Sequence, residues 1–393
     1  MRLFLTVDLV GSTAFKAKAL KGGDKLYPEW VSRFREFYRQ FPELLDVAFR
    51  DTKTGRTGAR GPKLWKIIGD EILFCCRITN LQQLSCCVTA FITALEQYAL
   101  SLANIGLDVK GAGWLADFPA KNITLSISDG AIEFNLRNED LPTEEFEAEA
   151  DGRPHNFDFL GSAIDTGFRV AKHADADKFA ASAELALLLS DAKERQMFMR
   201  EFRYEGRLSL KGINGEHPYP VVFVDTERDP RKREIRIRER LVTGEGTIEP
   251  VALRDFIKAY LTCHGFELPI LPLTETDEAG QSSASYEQYR KQWQRDLEAA
   301  QKQDESIQAA ETAGADDDKT ALTTLVTDFA LSKQADAMRK SQAFLSAVGG
   351  IDKHLTEQQI AAARKALEDR MRRNWMTRRQ RIRPKGKPDD EER

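Results

Sequence analysis

The 393-residue sequence has no uninterrupted apolar run approaching the ~18–20 residues that a membrane-spanning helix needs. Its opening, MRLFLTVDLVGST, is apolar but carries an aspartate, and it lacks the charged, apolar and cleavage regions of a signal peptide. A cytoplasmic location without membrane attachment is therefore expected. Cysteine is scarce. Cys75, Cys76, Cys86, Cys87 and Cys263 form two adjacent pairs and a single, a spacing that suits no zinc site. The odd count also argues against a secreted disulfide framework, which leaves small buried hydrophobes as the expected role. An excess of one charge is missing too: 58 Lys and Arg face 62 Asp and Glu, so any site for a polyanion must be local. There is no internal repeat.

What is present suits a folded protein of two or three domains, with 41% hydrophobic and 31% charged residues. Residues 3–7 (LFLTV) predict a buried strand, followed by a Gly-Ser-Thr turn and helical spacing to about residue 49. A loop rich in Gly, Thr and Arg spans 50–62. The runs 63–68 (KLWKII) and 71–78 (EILFCCRI), joined at Gly69-Asp70, predict a hairpin. Residues 80–104 carry a helical apolar period, and strands are expected at 107–118, 122–128, 131–136, 207–211 and 219–225. The acidic stretch Glu139 to Asp151 is expected to be a solvated loop, and 158–174 a turn leading into a helix. The composition changes after Asp225. Segment 226–239 suits a connector, 249–264 a helix, 284–302 a further helix between polar patches, and the region from about 321 more helices. There Thr356 and Gln359 form a capping-box pattern. The expected domains are 1–226, 227–320 and 321–393. The element order predicts an α+β fold with a mostly antiparallel sheet covered by helices.

Four separated segments carry candidate chemistry. In the first, Asp8 ends a strand and Leu9-Val10-Gly11-Ser12-Thr13 turns into a helix, where backbone N–H groups can cradle phosphate oxygens and Asp8 can ligate a hard cation. In the second, Asp70 stands at the hairpin tip. Two carboxylates crowded into one place are costly unless a cation neutralises them, so Asp8 and Asp70 together point to metal binding. The third, Asp158 to Arg169 (DFLGSAIDTGFR), puts Asp165 and Arg169 four residues apart on one helix face, where the bland reading is a salt bridge. The fourth is Lys211-Gly212, a cation in a loop between strands.

Taken in order, the four segments resemble the class III nucleotidyl cyclase domain across roughly residues 1–226. That resemblance implies a ferredoxin-like fold, a homodimer with shared active sites, and two divalent cations, Mn²⁺ or Mg²⁺, per site. It implies that Asp8, Asp70 and the Leu9 carbonyl hold the metals, with Gly11, Ser12 and Thr13 near the phosphates. Arg169 would be the transition-state arginine and Lys211 the phosphate-binding lysine. Asp165 would stand where most members carry a ribose-orienting asparagine. Metal ligands would come from one chain, and Asp158, Asp165, Arg169 and Lys211 from the other.

Adenylyl cyclases of the family place a base-reading lysine just before the hairpin tip. Leu64 is taken to occupy that position, with Lys63 and Lys66 flanking it and read as facing the other way. Asp158 fills the second base-reading position and matches the adenylyl pattern. An apolar Leu64 and the nearby bulk of Trp65 suggest a smaller pocket. On those grounds the chain resembles the pyrimidine cyclases of bacterial Pycsar antiphage systems. The resemblance implies UTP, then CTP, as substrate and a cyclic-nucleotide-activated effector encoded separately. ATP or GTP cyclisation is the next reading. Outside the cyclases, the rivals are an inactive nucleotide-sensing module and a nucleic-acid-binding protein, the latter supported by the basic tail Arg370–Lys387 with Trp375.

Overall fold

The computed structural model describes residues 1–21, 28–119, 122–127, 144–213, 217–243 and 247–274, together with 287, 288, 291, 292 and 295. All lie in the first of two compact units, Met1–Gln308. The strand expected at 131–136, most of the 284–302 helix, the Thr356 cap and the basic tail lie outside the described residues.

The strands are β1 (Arg2–Val10), β2 (Lys63–Ile68), β3 (Glu71–Arg77), β4 (Asp108–Ala116), β5 (Asn122–Ser126), β6 (Phe157–Gly161), β7 (Lys178–Ala181), β8 (Phe202–Leu208) and β9 (Tyr219–Asp225). The helices are α1 (Ser12–Lys21), α2 (Glu29–Arg50), α3 (Lys53–Arg56), α4 (Leu81–Leu102), α5 (Glu144–Gly152), α6 (Ser162–Ala171), α7 (Ala183–Glu194), α8 (Pro230–Thr243) and α9 (Pro250–Cys263). Strands β2-β3-β1-β4 pair antiparallel in that order. With α2 and α4 as the two connecting helices they make the βαββαβ ferredoxin-like unit. The sheet then continues through β7, parallel to β4, to β9 and β8. A separate two-stranded sheet pairs β5 with β6.

Period-two alternation on β1 divides the molecule. Leu3, Leu5, Val7 and Leu9 enter the large core on the helix-covered face, while Phe4 enters a second cluster with Trp65, Trp114, Phe157 and Phe159. Thr6 and Asp8 follow Phe4 on that second face. On the first face, α2 buries Phe34, Phe37, Phe41 and Leu45, spaced as one helical stripe. Asn80 caps α4 by accepting a bond from the Gln83 N–H at 2.8 Å. By length and composition α4 passes as a membrane span, but its apolar residues pack on α2 and the sheet.

Two expectations need correcting. The acidic stretch is not a solvated loop over its described part: residues 144–152 form α5, and Glu147 is buried. Arg2, itself buried, meets Glu147 and Asp151 at 2.6 Å each, so acids that lacked partners in the local sequence find them across the fold. The segment expected as a connector forms helix α8, pinned to the sheet end by Arg236, which reaches Asp177 at 2.7 Å and Asp225 at 2.9 Å.

Candidate active site

The β1–β3 register places Glu71 directly opposite Asp8, and the β1–β4 register places Lys110 opposite Asp8 on the other side. Asp70 sits in the tight turn between β2 and β3, where Gly69 takes a positive φ of 63° that suits glycine. The turn is fixed on three sides. The Leu9 N–H donates to the Asp70 carbonyl at 3.3 Å, the Ser12 hydroxyl donates to Asp70 Oδ2, and the Tyr38 hydroxyl donates to the Gly69 carbonyl. Ser12 is thus buried and holds a carboxylate, while Gly11 and Thr13 are exposed at the start of α1.

Burial pushes the Asp8 carboxyl above its ordinary value; Lys110 opposes the shift and Asp70 adds to it. Glu71 is raised by burial as well, opposed by a hydrogen bond from Thr6 and reinforced by Asp8. Asp8 and Glu71 thus stand side by side across β1 and β3, Asp70 lies in the adjoining turn, and the ammonium of Lys110 stands 3.2 Å from Asp8 Oδ2. Such oxygen donors suit a hard divalent cation. Among the described residues no three His, Cys, Asp or Glu side chains are arranged as a complete ligand set. That fits a cation held by one or two carboxylates, with substrate phosphates and water completing the shell. The sequence reading missed Glu71 and Lys110, because only the register across three strands brings them to Asp8.

The remaining candidates gather around α6, on the same side of the sheet as the second cluster. The Arg169 Nε is buried and makes no hydrogen bond among the described residues. The turn carrying Lys211 lies beside it: Gly212 takes a φ of 75°, and a Cβ there would stand 3.7 Å from an Arg169 terminal nitrogen. Lys211 is exposed, and so is Asp165 one turn before Arg169 on α6.

The β2–β3 register shifts between Leu64 and Lys66, a bulge that sets Lys66 on the face opposite Leu64, where strict alternation would put both on one face. Leu64, expected beside Asp158, packs instead against the large core. Lys66 takes that place: its Nζ meets Asp158 Oδ1 at 2.5 Å, and both side chains are 29% exposed. Trp65 does not project beside them. It is buried beneath, donating from Nε1 to the Phe157 carbonyl at 3.1 Å, with the Lys66 ammonium 4.7 Å from its ring centroid.

The candidates thus form two groups, Asp8–Asp70–Ser12 with Glu71 and Lys110, and Lys66–Asp158 with Arg169–Lys211. Among the described residues no hydrogen bond or ion pair links them.

No protein-family model matches the chain, and no curated protein matches it. Solved structures do show similarity. The adenylyl cyclase CyaB from P. aeruginosa is 15% identical, with 58% of this chain and 97% of that chain covered at a TM-score of 0.35. The guanylyl cyclase Cya2 is 13% identical, with 57% and 90% covered at 0.32. The guanylate cyclase domain of RhGC from Catenaria anguillulae, in complex with GTP, is 9% identical, with 58% and 97% covered at 0.35.

Proposed function

We propose that residues 1–226 form a nucleotide cyclase that converts a nucleoside triphosphate into its 3′,5′-cyclic monophosphate and pyrophosphate. The observation that supports this most directly is the crowding of Asp8, Asp70 and Glu71 at one strand end, where like charges call for a cation. Asp8, Asp70 and the Leu9 carbonyl would hold two divalent ions. When bound, these ions acidify the ribose 3′-hydroxyl and neutralise the triphosphate. The 3′-oxygen attacks the α-phosphorus as the bond to the bridging oxygen breaks, and pyrophosphate leaves. Arg169 takes the charge gathering on the α-phosphate, and Lys211 takes a second phosphate oxygen. Asp165 accepts a bond from a ribose hydroxyl, and the N–H groups of Gly11 to Thr13 face the phosphates.

The base is read by Lys66 and Asp158. Lysine only donates and carboxylate only accepts, a pair that matches adenine N1 and its amino group. It is also the adenylyl arrangement that the family resemblance implies, so ATP is the proposed substrate. The preference for UTP or CTP rested on Leu64 at the base position and on Trp65 filling the pocket. UTP stays as a second reading, because uracil O4 and N3–H offer the same acceptor and donor. The antiphage role and the separate effector follow only if the product is a cyclic pyrimidine.

The test is incubation of the full chain with Mn²⁺ and each of ATP, GTP, CTP and UTP, with products identified by mass spectrometry. Cyclic AMP, absent with Asp8→Ala, is the expected result. Cyclic UMP or cyclic CMP would restore the pyrimidine reading. Absence of any cyclic product would favour a nucleotide-binding module.

A further inference from the structure

Glu71, Asp8 and Lys110 form one row across β3, β1 and β4, so the three side chains leave the same face of the sheet side by side. Beside the row lies a pocket of about 170 Å³, lined by Thr6, Asp8, Glu71, Lys110, Phe168 and Lys172 among others. The Lys110 ammonium is 3.2 Å from Asp8 Oδ2, with the two side chains 27% and 33% exposed. A divalent ion on Asp8 needs the same oxygen, at roughly 2.0–2.1 Å for magnesium. The ammonium and the ion cannot both hold that oxygen at full strength, and partial burial sharpens their repulsion.

We propose that Lys110 is a tethered cation that keeps bare divalent ions off Asp8, so that the ion enters as its complex with the nucleoside triphosphate. The inference deepens the cyclase reading and rests on it for the identity of the nucleotide. Lysine carries its charge on a flexible four-carbon stem. When a triphosphate arrives, its oxygens give the ammonium a new partner as the ion takes Asp8. A bare ion brings no such partner, so displacing Lys110 leaves its charge uncompensated beside the ion. Lys110 would thus set the order of assembly and select metal–nucleotide over free metal.

The test is Mn²⁺ binding to the full chain without nucleotide, read from loss of the free-ion electron paramagnetic resonance signal. Lys110→Met is expected to bind Mn²⁺ at least about tenfold more tightly than the unaltered chain, the effect of removing a contacting like charge. Lys110→Arg should bind as weakly as the unaltered chain. Adding Asp8→Asn to Lys110→Met should abolish the gain. With a non-hydrolysable triphosphate present, the gap between Lys110→Met and the unaltered chain should close. Lys110→Gln serves in place of Lys110→Met if circular dichroism shows that variant misfolded. Equal or weaker Mn²⁺ binding by the folded neutral variant overturns the proposal and leaves the cyclase reading standing. A gain that survives Asp8→Asn overturns the proposal and the Asp8 metal assignment together.

Discussion

Lys66 and Asp158 are 92 positions apart in the chain and meet through a 2.5 Å ion pair. Removing the ammonium leaves a half-buried carboxylate and a base edge without their donor. Lys66→Met is therefore expected to lower kcat/KM for the preferred triphosphate by about tenfold or more, while the other three change little. Kinetics with all four triphosphates check this, and an unchanged ranking would show that the pair does not read the base. At this scale the sequence was legible where a side chain sits in a local signal. Asp8 lies on an alternating strand, and Asp70 follows a turn glycine that takes a positive φ. Lys66 was missed because Leu64 was taken as the residue facing Asp158, whereas it is the face opposite Leu64, carrying Lys66, that meets Asp158. Glu71 and Lys110 were missed because cross-strand partners are not encoded in local spacing.

Elements whose periodicity comes from packing against the sheet, such as α2, α4 and the β2–β3 hairpin, were readable in advance. Those held by long-range ion pairs were not: α5 depends on Arg2 and Arg77, and α8 on Arg236. Helix α6 lies close against β4. A Cβ on Gly167 would stand 2.1 Å from the Trp114 ring, which is stacked on Phe4 at 5.7 Å. Gly167→Ala should therefore cost about 1–3 kcal/mol in denaturant unfolding. It should also cut turnover, because Arg169 rides on the displaced helix; unchanged stability would show that α6 has room to shift. The anchorage of α8 should depend on acid. Burial alone would raise the Asp177 carboxyl, but its hydrogen bond and charge contact with Arg203, and the charge of Arg236, hold it below its ordinary 3.8. A depressed carboxylate stabilises the fold above its unfolded value, and that stability is lost as pH falls through the folded value. The protection of the α8 amides relative to their intrinsic exchange rate should therefore fall as pH drops below 3.8, and less so in Arg236→Met, which lacks the contact from the start.

At the scale of the molecule, the Asp8–Asp70 group and the Asp158–Arg169 group share one side of the sheet, and among the described residues no hydrogen bond or ion pair links them. The proposed homodimer completes each site with one group from each chain. Asp8→Ala and Arg169→Ala should then each be inactive alone. Mixed in equal amounts and allowed to exchange, they should recover roughly a quarter of the unaltered turnover, since half the dimers are mixed and each carries one intact site. No recovery after verified exchange would place both groups in a site within one chain. The bulge in β2 has a consequence for how such an enzyme can diverge. It lies on an edge strand of the sheet, next to Lys66 but outside the Asp8–Asp70 junction. Loss of the Trp65 codon would straighten the strand and leave Lys66 opposite Leu73, but remove the ring beneath it. The cation ligands, Arg169 and Lys211 would stay as they are. The bedding of the Lys66–Asp158 pair can thus be altered by one residue at the sheet edge without disturbing the strands that carry Asp8.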